Sequence, residues 1–131
     1  MPAPSGDAVR AAVAAYYAAV SAGEIEAAVA MFAADARMLD PVGAPAAENA
    51  EQRRQRYAGI SAMFETFRVE PSFVAVCGAE AAARWSAVGR TRAGRDVTFD
   101  GISTFVFDAD GRIAAMSAYW EMAAVVAALQ A

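Results

Sequence analysis

Residues 95–108 read RDVTFDGISTFVFD, and the fold is decided here. The odd positions are Val97, Phe99, Gly101, Ser103, Phe105 and Phe107, and the even ones include Thr98, Asp100, Thr104 and Asp108. A period of two with the aromatics on one side describes a strand whose odd face is buried and whose even face is wet. Ala93-Gly94 before the stretch and Asp108-Ala109-Asp110-Gly111 after it are good hairpin turns, so neighbouring strands should run back along it.

Alternation continues on both sides. Further strands are expected at about 69–77, 81–91 and 112–122, with Gly78-Ala79 as a turn and Ala114, Met116, Ala118 and Trp120 as the large apolar set of the last. Before Arg68 the period becomes helical. A first helix should run from about Ser5, a cap with Asp7 in its first turn, to Ser21, ended by Gly23. Its stripe is Val9, Val13, Tyr16 and Val20; Tyr17 is rotated by about 100° to the flank, which makes Tyr16 the inward tyrosine. A second helix over 24–34 carries Ile25, Val29 and Phe32, and a short segment over 37–40 follows it. Pro41 and Gly43 then force a turn, so Asp40 stands where an element ends and a side chain can point into a cavity. A third helix over 50–64 places Tyr57, Ile60 and Phe64 in register. Helices first and strands after, with no linker or repeat, predict one α+β domain over 1–131: a curved antiparallel sheet folded over three N-terminal helices, aromatics on its concave face.

Composition narrows the chemistry. At 131 residues and 58% hydrophobic the chain can bury a core and line a cavity. Net charge is −4 and all 11 basic residues are Arg. Arg53, Arg54 and Arg56 form the one local cluster, which reads as a solvated helix face, so nucleic acid is a poor candidate partner. His and Lys are both absent. That removes His-activated nucleophiles, Schiff bases and Walker-type phosphate loops, and it leaves a zinc site with too few ligands, so neither metal nor cofactor is expected. Asp, Glu and Tyr remain for acid–base work. Cys77 is alone and reads as core. The opening MPAPSGDAVR is unlike a signal peptide, and the apolar run 122–129 is too short to cross a bilayer, so a soluble, cytoplasmic protein is expected.

Several pieces in order carry a resemblance: Tyr16 before Ser21-Ala22-Gly23-Glu24, Met31-Phe32-Ala33-Ala34-Asp35-Ala36, Asp40-Pro41-Val42-Gly43, Tyr57, Phe107-Asp108-Ala109-Asp110-Gly111-Arg112-Ile113, and Met116 with Ala118-Tyr119-Trp120. Together they resemble the ketosteroid isomerases, over nearly the whole chain. These belong to the nuclear transport factor two-like, or SnoaL-like, superfamily, whose cone fold also hosts polyketide cyclases, epoxide-opening enzymes and binding-only proteins, so the fold alone leaves function open.

The resemblance implies Asp40 as general base, Tyr16 as donor to an enolate oxygen and Tyr57 as the neighbour supporting that phenol. It further implies a steroid-like apolar substrate, a pocket walled by Phe99, Phe105, Met116, Ala118 and Trp120, and a homodimer paired through the convex sheet face. One departure stands out: where the family has a protonated Asp sharing the oxyanion, this chain has Ser103, either a weaker donor or a small core residue. Losing a strong oxyanion donor typically costs about 2.7–4 kcal/mol of transition-state stabilisation. Asp100 faces the wrong way to replace it. Epoxide-opening relatives pair an Asp in the same setting with a second acid, which raises Glu65 as an alternative partner; its plainer reading is a surface glutamate. A cone that binds an apolar metabolite without chemistry is the third possibility.

Overall fold

Ser5 opens the first helix by accepting the Ala8 N–H at 3.1 Å, and Gly23 closes it with a φ of 70°. In the computed structural model, which describes residues 3–130, this helix is α1, Gly6–Ala22. A short helix α2, Ile25–Ala30, follows, then strand β1, Phe32–Leu39, and helix α3, Ala50–Met63. Four more strands complete the sheet: β2 (Phe64–Cys77), β3 (Glu80–Thr91), β4 (Asp96–Phe107) and β5 (Ile113–Tyr119), and a final helix α4 spans Met122–Gln130.

The sheet order is β1-β5-β4-β3-β2, antiparallel from β2 to β5 with β1 joining β5 in parallel. Its inner face packs on the helices, and β4 buries Val97, Ser103, Phe105 and Phe107 while Thr98, Asp100, Thr104 and Val106 are exposed, the alternation read from the sequence. The expected α+β architecture is therefore present.

Several expectations change. The second helix stops at Ala30, and residues 32–39 form β1 instead of a helix end and a short segment. In β5 a register shift opposite Val106/Phe107 moves the parity, so Ile113 is buried 1% exposed and Ala114 steps out of the inward set. Cys77 lies exposed at the end of β2 and is no core residue. Residues 122–129, read only as too short for a membrane span, are a helix. No helix among the described residues is long and apolar enough to cross a membrane.

Arg53 is the largest correction. It is 1% exposed, with its guanidinium donating to the carbonyls of Ala36 (2.8 Å), Ala33 (3.1 Å) and Ala34 (3.3 Å) and lying 5.1 Å from the Phe32 ring centroid. The cause is the irregular register of β1 on β5 between Phe32 and Arg37, which leaves these carbonyls outside the ladder. A planar five-donor group fills that gap as no single backbone N–H could. Of the remaining cluster, Arg54 pairs with Glu26 and Glu51 on the surface, and Arg56 turns toward the Asp40 and Pro45 carbonyls.

Candidate active site

Asp40 is delivered by the end of β1. Beyond it the Asp40–Pro41 peptide is cis and the Val42 N–H donates to the Ala118 carbonyl at 2.8 Å, which fastens this corner to β5. That brings the carboxylate to Trp120, whose Nε1–H donates to Asp40 Oδ1 at 2.7 Å. The part of Asp40 left open faces a cavity of about 400 Å³ between the helices and the concave sheet. The cavity falls within the usual range for small-molecule sites.

Tyr16 and Tyr57 meet across this space with their hydroxyls 2.8 Å apart, and the Tyr57 hydroxyl also donates to Met38 Sδ at 3.5 Å. Both rings are buried, at 5% and 4% exposed. Ser103, from the inward face of β4, accepts the Trp85 Nε1–H at 2.9 Å. Phe99 stands between Trp85 and Trp120, with centroid distances of 5.7 and 5.6 Å. Met116 and Ala118 supply the β5 wall.

The apolar walls set the electrostatics. Burial pushes the Asp40 carboxyl above its ordinary value of 3.8, and the Trp120 N–H and the Arg56 charge pull part of that back. Tyr16 is raised well above 10.0, first by burial and then by Tyr57 and the Asp40 charge. Tyr57 is raised too, by burial, with the Tyr16 hydrogen bond opposing. These phenols stay protonated and can only donate or relay, while the carboxylate is the one group here that can take a proton.

Of the residues singled out in the sequence, the cavity gathers Asp40, Tyr16, Tyr57, Ser103, Phe99, Met116, Ala118 and Trp120. Phe105 is not a wall: it is 1% exposed and packs behind the tyrosines, 5.5 Å from the Tyr16 ring and 6.0 Å from that of Tyr17. Glu65 is exposed on β2 and lines a separate groove beside Arg68 and Arg92, outside the cavity that holds Asp40. Among the described residues Asp40 is the one acidic side chain that lines this cavity.

Three contributors were not found in the sequence. Tyr17 lines the cavity at 4% exposure, because α1 lies against β2 and β3 inside a wrapping sheet and buries a wider arc than one stripe. Trp85 occupies an inward position of β3; applying to 80–91 the alternation used for β4 exposes it. Met122, Val125, Val126 and Leu129 of α4 close one side of the cavity, and their apolar run was the available signal. Among the described residues no group of three or more His, Cys, Asp or Glu comes together.

The comparisons agree with this architecture. The SnoaL-like domain family matches residues 13–116. A steroid Δ-isomerase from Nocardioides simplex is 34% identical over 113 residues, covering 86% of this chain and 89% of that protein. The solved structure of SalBIII, an epoxide hydrolase/cyclase-like enzyme with a role in pyran ring formation in the polyether salinomycin, superposes with a TM-score of 0.78. It covers 88% of this chain and 92% of that one at 24% identity, a likeness of fold.

Proposed function

Because the chain belongs to the SnoaL-like domain family, we propose that it is a cofactor-free isomerase that shifts a carbon–carbon double bond in a flat, apolar, steroid-like ketone, with Asp40 as base and Tyr16 as donor to the oxygen. The observation that carries this reading is a lone carboxylate, raised in basicity by burial, set in an apolar cavity opposite the buried Tyr16–Tyr57 pair. The identity to a steroid Δ-isomerase supports the substrate class.

The steps follow from the groups present. Ionised Asp40 takes a proton from the carbon between the carbonyl and the double bond. The C–H pair becomes a new C=C bond, and the carbonyl π pair moves onto oxygen as a dienolate. Tyr16 donates to that oxygen while Tyr57 turns its proton from Met38 Sδ to the Tyr16 oxygen, so each phenol uses its single proton once. Asp40 then returns the proton at the γ carbon and the carbonyl re-forms. The Trp120 N–H holds the carboxylate through both transfers. A substrate that fills this mostly apolar cavity displaces water from it, which strengthens each of these interactions.

Mixing the protein with a β,γ-unsaturated 3-ketosteroid and following the ultraviolet absorbance of the conjugated enone tests this. Asp40→Asn should lower the rate by about 10²–10⁴-fold, the usual contribution of a positioned base. An unchanged rate in that variant would sink the proposal.

Two copies are proposed to pair through the outer sheet face. Phe73, Arg84, Ile102 and Tyr119 form one cross-strand row there, with Phe73 67%, Ile102 51% and Tyr119 53% exposed. Exposed large apolar side chains gathered around one arginine are the kind of patch that marks an interface.

A further inference from the structure

Tyr17 is a buried phenol with no task in the scheme above. Its hydroxyl has no hydrogen-bond partner among the described residues, although the side chain lines the cavity that holds Asp40. Such orphans are rare in native proteins and call for an explanation, because a buried donor without an acceptor loses its water for nothing. A ligand oxygen would supply the missing acceptor.

The surroundings say where that oxygen would sit. Tyr16 and Tyr17 are adjacent on α1, with ring centroids 5.2 Å apart and planes 77° from parallel, and both border the same cavity. Behind Tyr16 stands Tyr57, bonded to its hydroxyl. On the Tyr17 side stands Ser103, whose oxygen is already engaged by the Trp85 N–H and whose own proton is free for a further acceptor. Burial pushes the Tyr17 phenol up to about 12 even with the nearby Ser103 hydroxyl drawing it partly back, and both residues line the same cavity, so the two hydroxyls are neighbours although no hydrogen bond closes on the Tyr17 oxygen. Tyr16, Tyr17 and Tyr57 all line the cavity that Asp40 borders, and the Asp40 charge helps to keep each phenol protonated.

We propose that Tyr17 is a catalytic residue, the second donor to the enolate oxygen, with Ser103 and Trp85 as a relay behind it. The oxyanion site then consists of two phenols, each backed by another hydroxyl: Tyr57 behind Tyr16, and Ser103, held by Trp85, behind Tyr17. The place taken elsewhere in the family by a carboxylic acid is filled from the helix side, and Ser103 acts through Tyr17. Such a chain polarises each donor in turn. This inference rests on the isomerase reading for its substrate, but its ligand chemistry, an oxygen carrying developing negative charge on a flat apolar skeleton, can be tested without turnover.

The test is Tyr17→Phe beside Ser103→Ala and Tyr16→Phe, with three readouts: enone formation from the β,γ-unsaturated 3-ketosteroid, affinity for substituted phenols of graded acidity, and thermal unfolding. Tyr17→Phe should keep or raise the melting temperature, since it removes an unpaired buried hydroxyl. It should lower kcat by about 10²–10³-fold with little change in KM, the usual effect of losing one oxyanion donor. It should also weaken phenol binding, most for the most acidic members. Ser103→Ala should do the same in smaller degree.

Unchanged kcat and phenol affinity in Tyr17→Phe overturns the inference and leaves the isomerase reading standing. A lowered melting temperature shows a structural hydroxyl and overturns it too, as does a larger loss in Ser103→Ala than in Tyr17→Phe. If the wild type binds phenols through Tyr17 but does not isomerise the steroid, the oxyanion assignment stands and the substrate proposal falls. If it neither binds phenols nor turns over steroid, both fall.

Discussion

Replacing Arg53 by Met keeps the aliphatic stem and removes the charge together with the donors to Ala33, Ala34 and Ala36. Hydrogen bonds from a charged donor contribute about 1.5–3 kcal/mol each, but the cost of burying a guanidinium offsets much of that sum. What the variant leaves is a row of carbonyls without partners in a site where Arg53 is only 1% exposed. Each buried carbonyl left unpaired costs about 1–3 kcal/mol, and with the burial cost of the guanidinium recovered the net for the three is about 3–5 kcal/mol. For a domain of this size, between the two size classes for which the scaling is known, that is a fall in melting temperature of roughly 10–20 °C. Circular dichroism on heating, with urea unfolding at unchanged slope, measures it. Arg53→Lys should recover only part, since an ammonium cannot fork to spread-out acceptors. A loss below about 1 kcal/mol in Arg53→Met would refute the reasoning, because the carbonyls would then have no need of the guanidinium.

Other expectations follow from the same geometry. Because burial raises the Asp40 carboxyl above 3.8, the native chain holds that proton more tightly than the unfolded chain. Its contribution to stability is therefore full below the ordinary value and is lost as pH rises through the raised one. Asp40→Asn, which cannot ionise, should melt above the wild type at neutral pH and lose that advantage below about pH 4, as melting temperature against pH would show. Trp120→Phe removes the donor to the carboxylate, so the acid limb of kcat/KM should move to higher pH; an unmoved limb would mean the N–H does not hold the charge. Gly101→Ala would put a methyl 2.7 Å from the Tyr119 carbonyl oxygen and 2.8 Å from Trp85 Cη2, tighter than carbon tolerates. The expected loss is about 1–3 kcal/mol, with a changed near-ultraviolet signal as Trp85 leaves Ser103. Ile102→Glu, on the outer row, should shift sedimentation from dimer to monomer without altering the cavity.

The parts legible in the sequence are those whose cause is local. Alternation in β4 reports its own burial, Ser5 and Gly23 mark the ends of α1, and Pro41 and Gly43 mark the corner that presents Asp40. What was missed depends on partners distant in the chain. The run Phe32-Ala33-Ala34-Asp35-Ala36-Arg37-Met38-Leu39 has the Ala-rich composition of a helix and becomes a strand because β5 lies alongside it in parallel. Arg53 sits among arginines and looks solvated until the irregularity in β1 supplies carbonyls for it. Tyr17 is one position from the stripe, and only the wrap of the sheet around α1 buries both neighbours. Ser103 was seen as a departure, yet its bond to Trp85 joins two strands whose register is invisible in either alone.

The most direct test of the central claim is a label experiment: a β,γ-unsaturated 3-ketosteroid carrying deuterium on the carbon between ketone and double bond, turned over in ordinary water. If Asp40 carries the proton from one carbon to the other inside a dry cavity, deuterium appears at the γ carbon of the product and kcat shows a primary isotope effect. Product that has lost all of its label to solvent, formed with no isotope effect, would contradict the account.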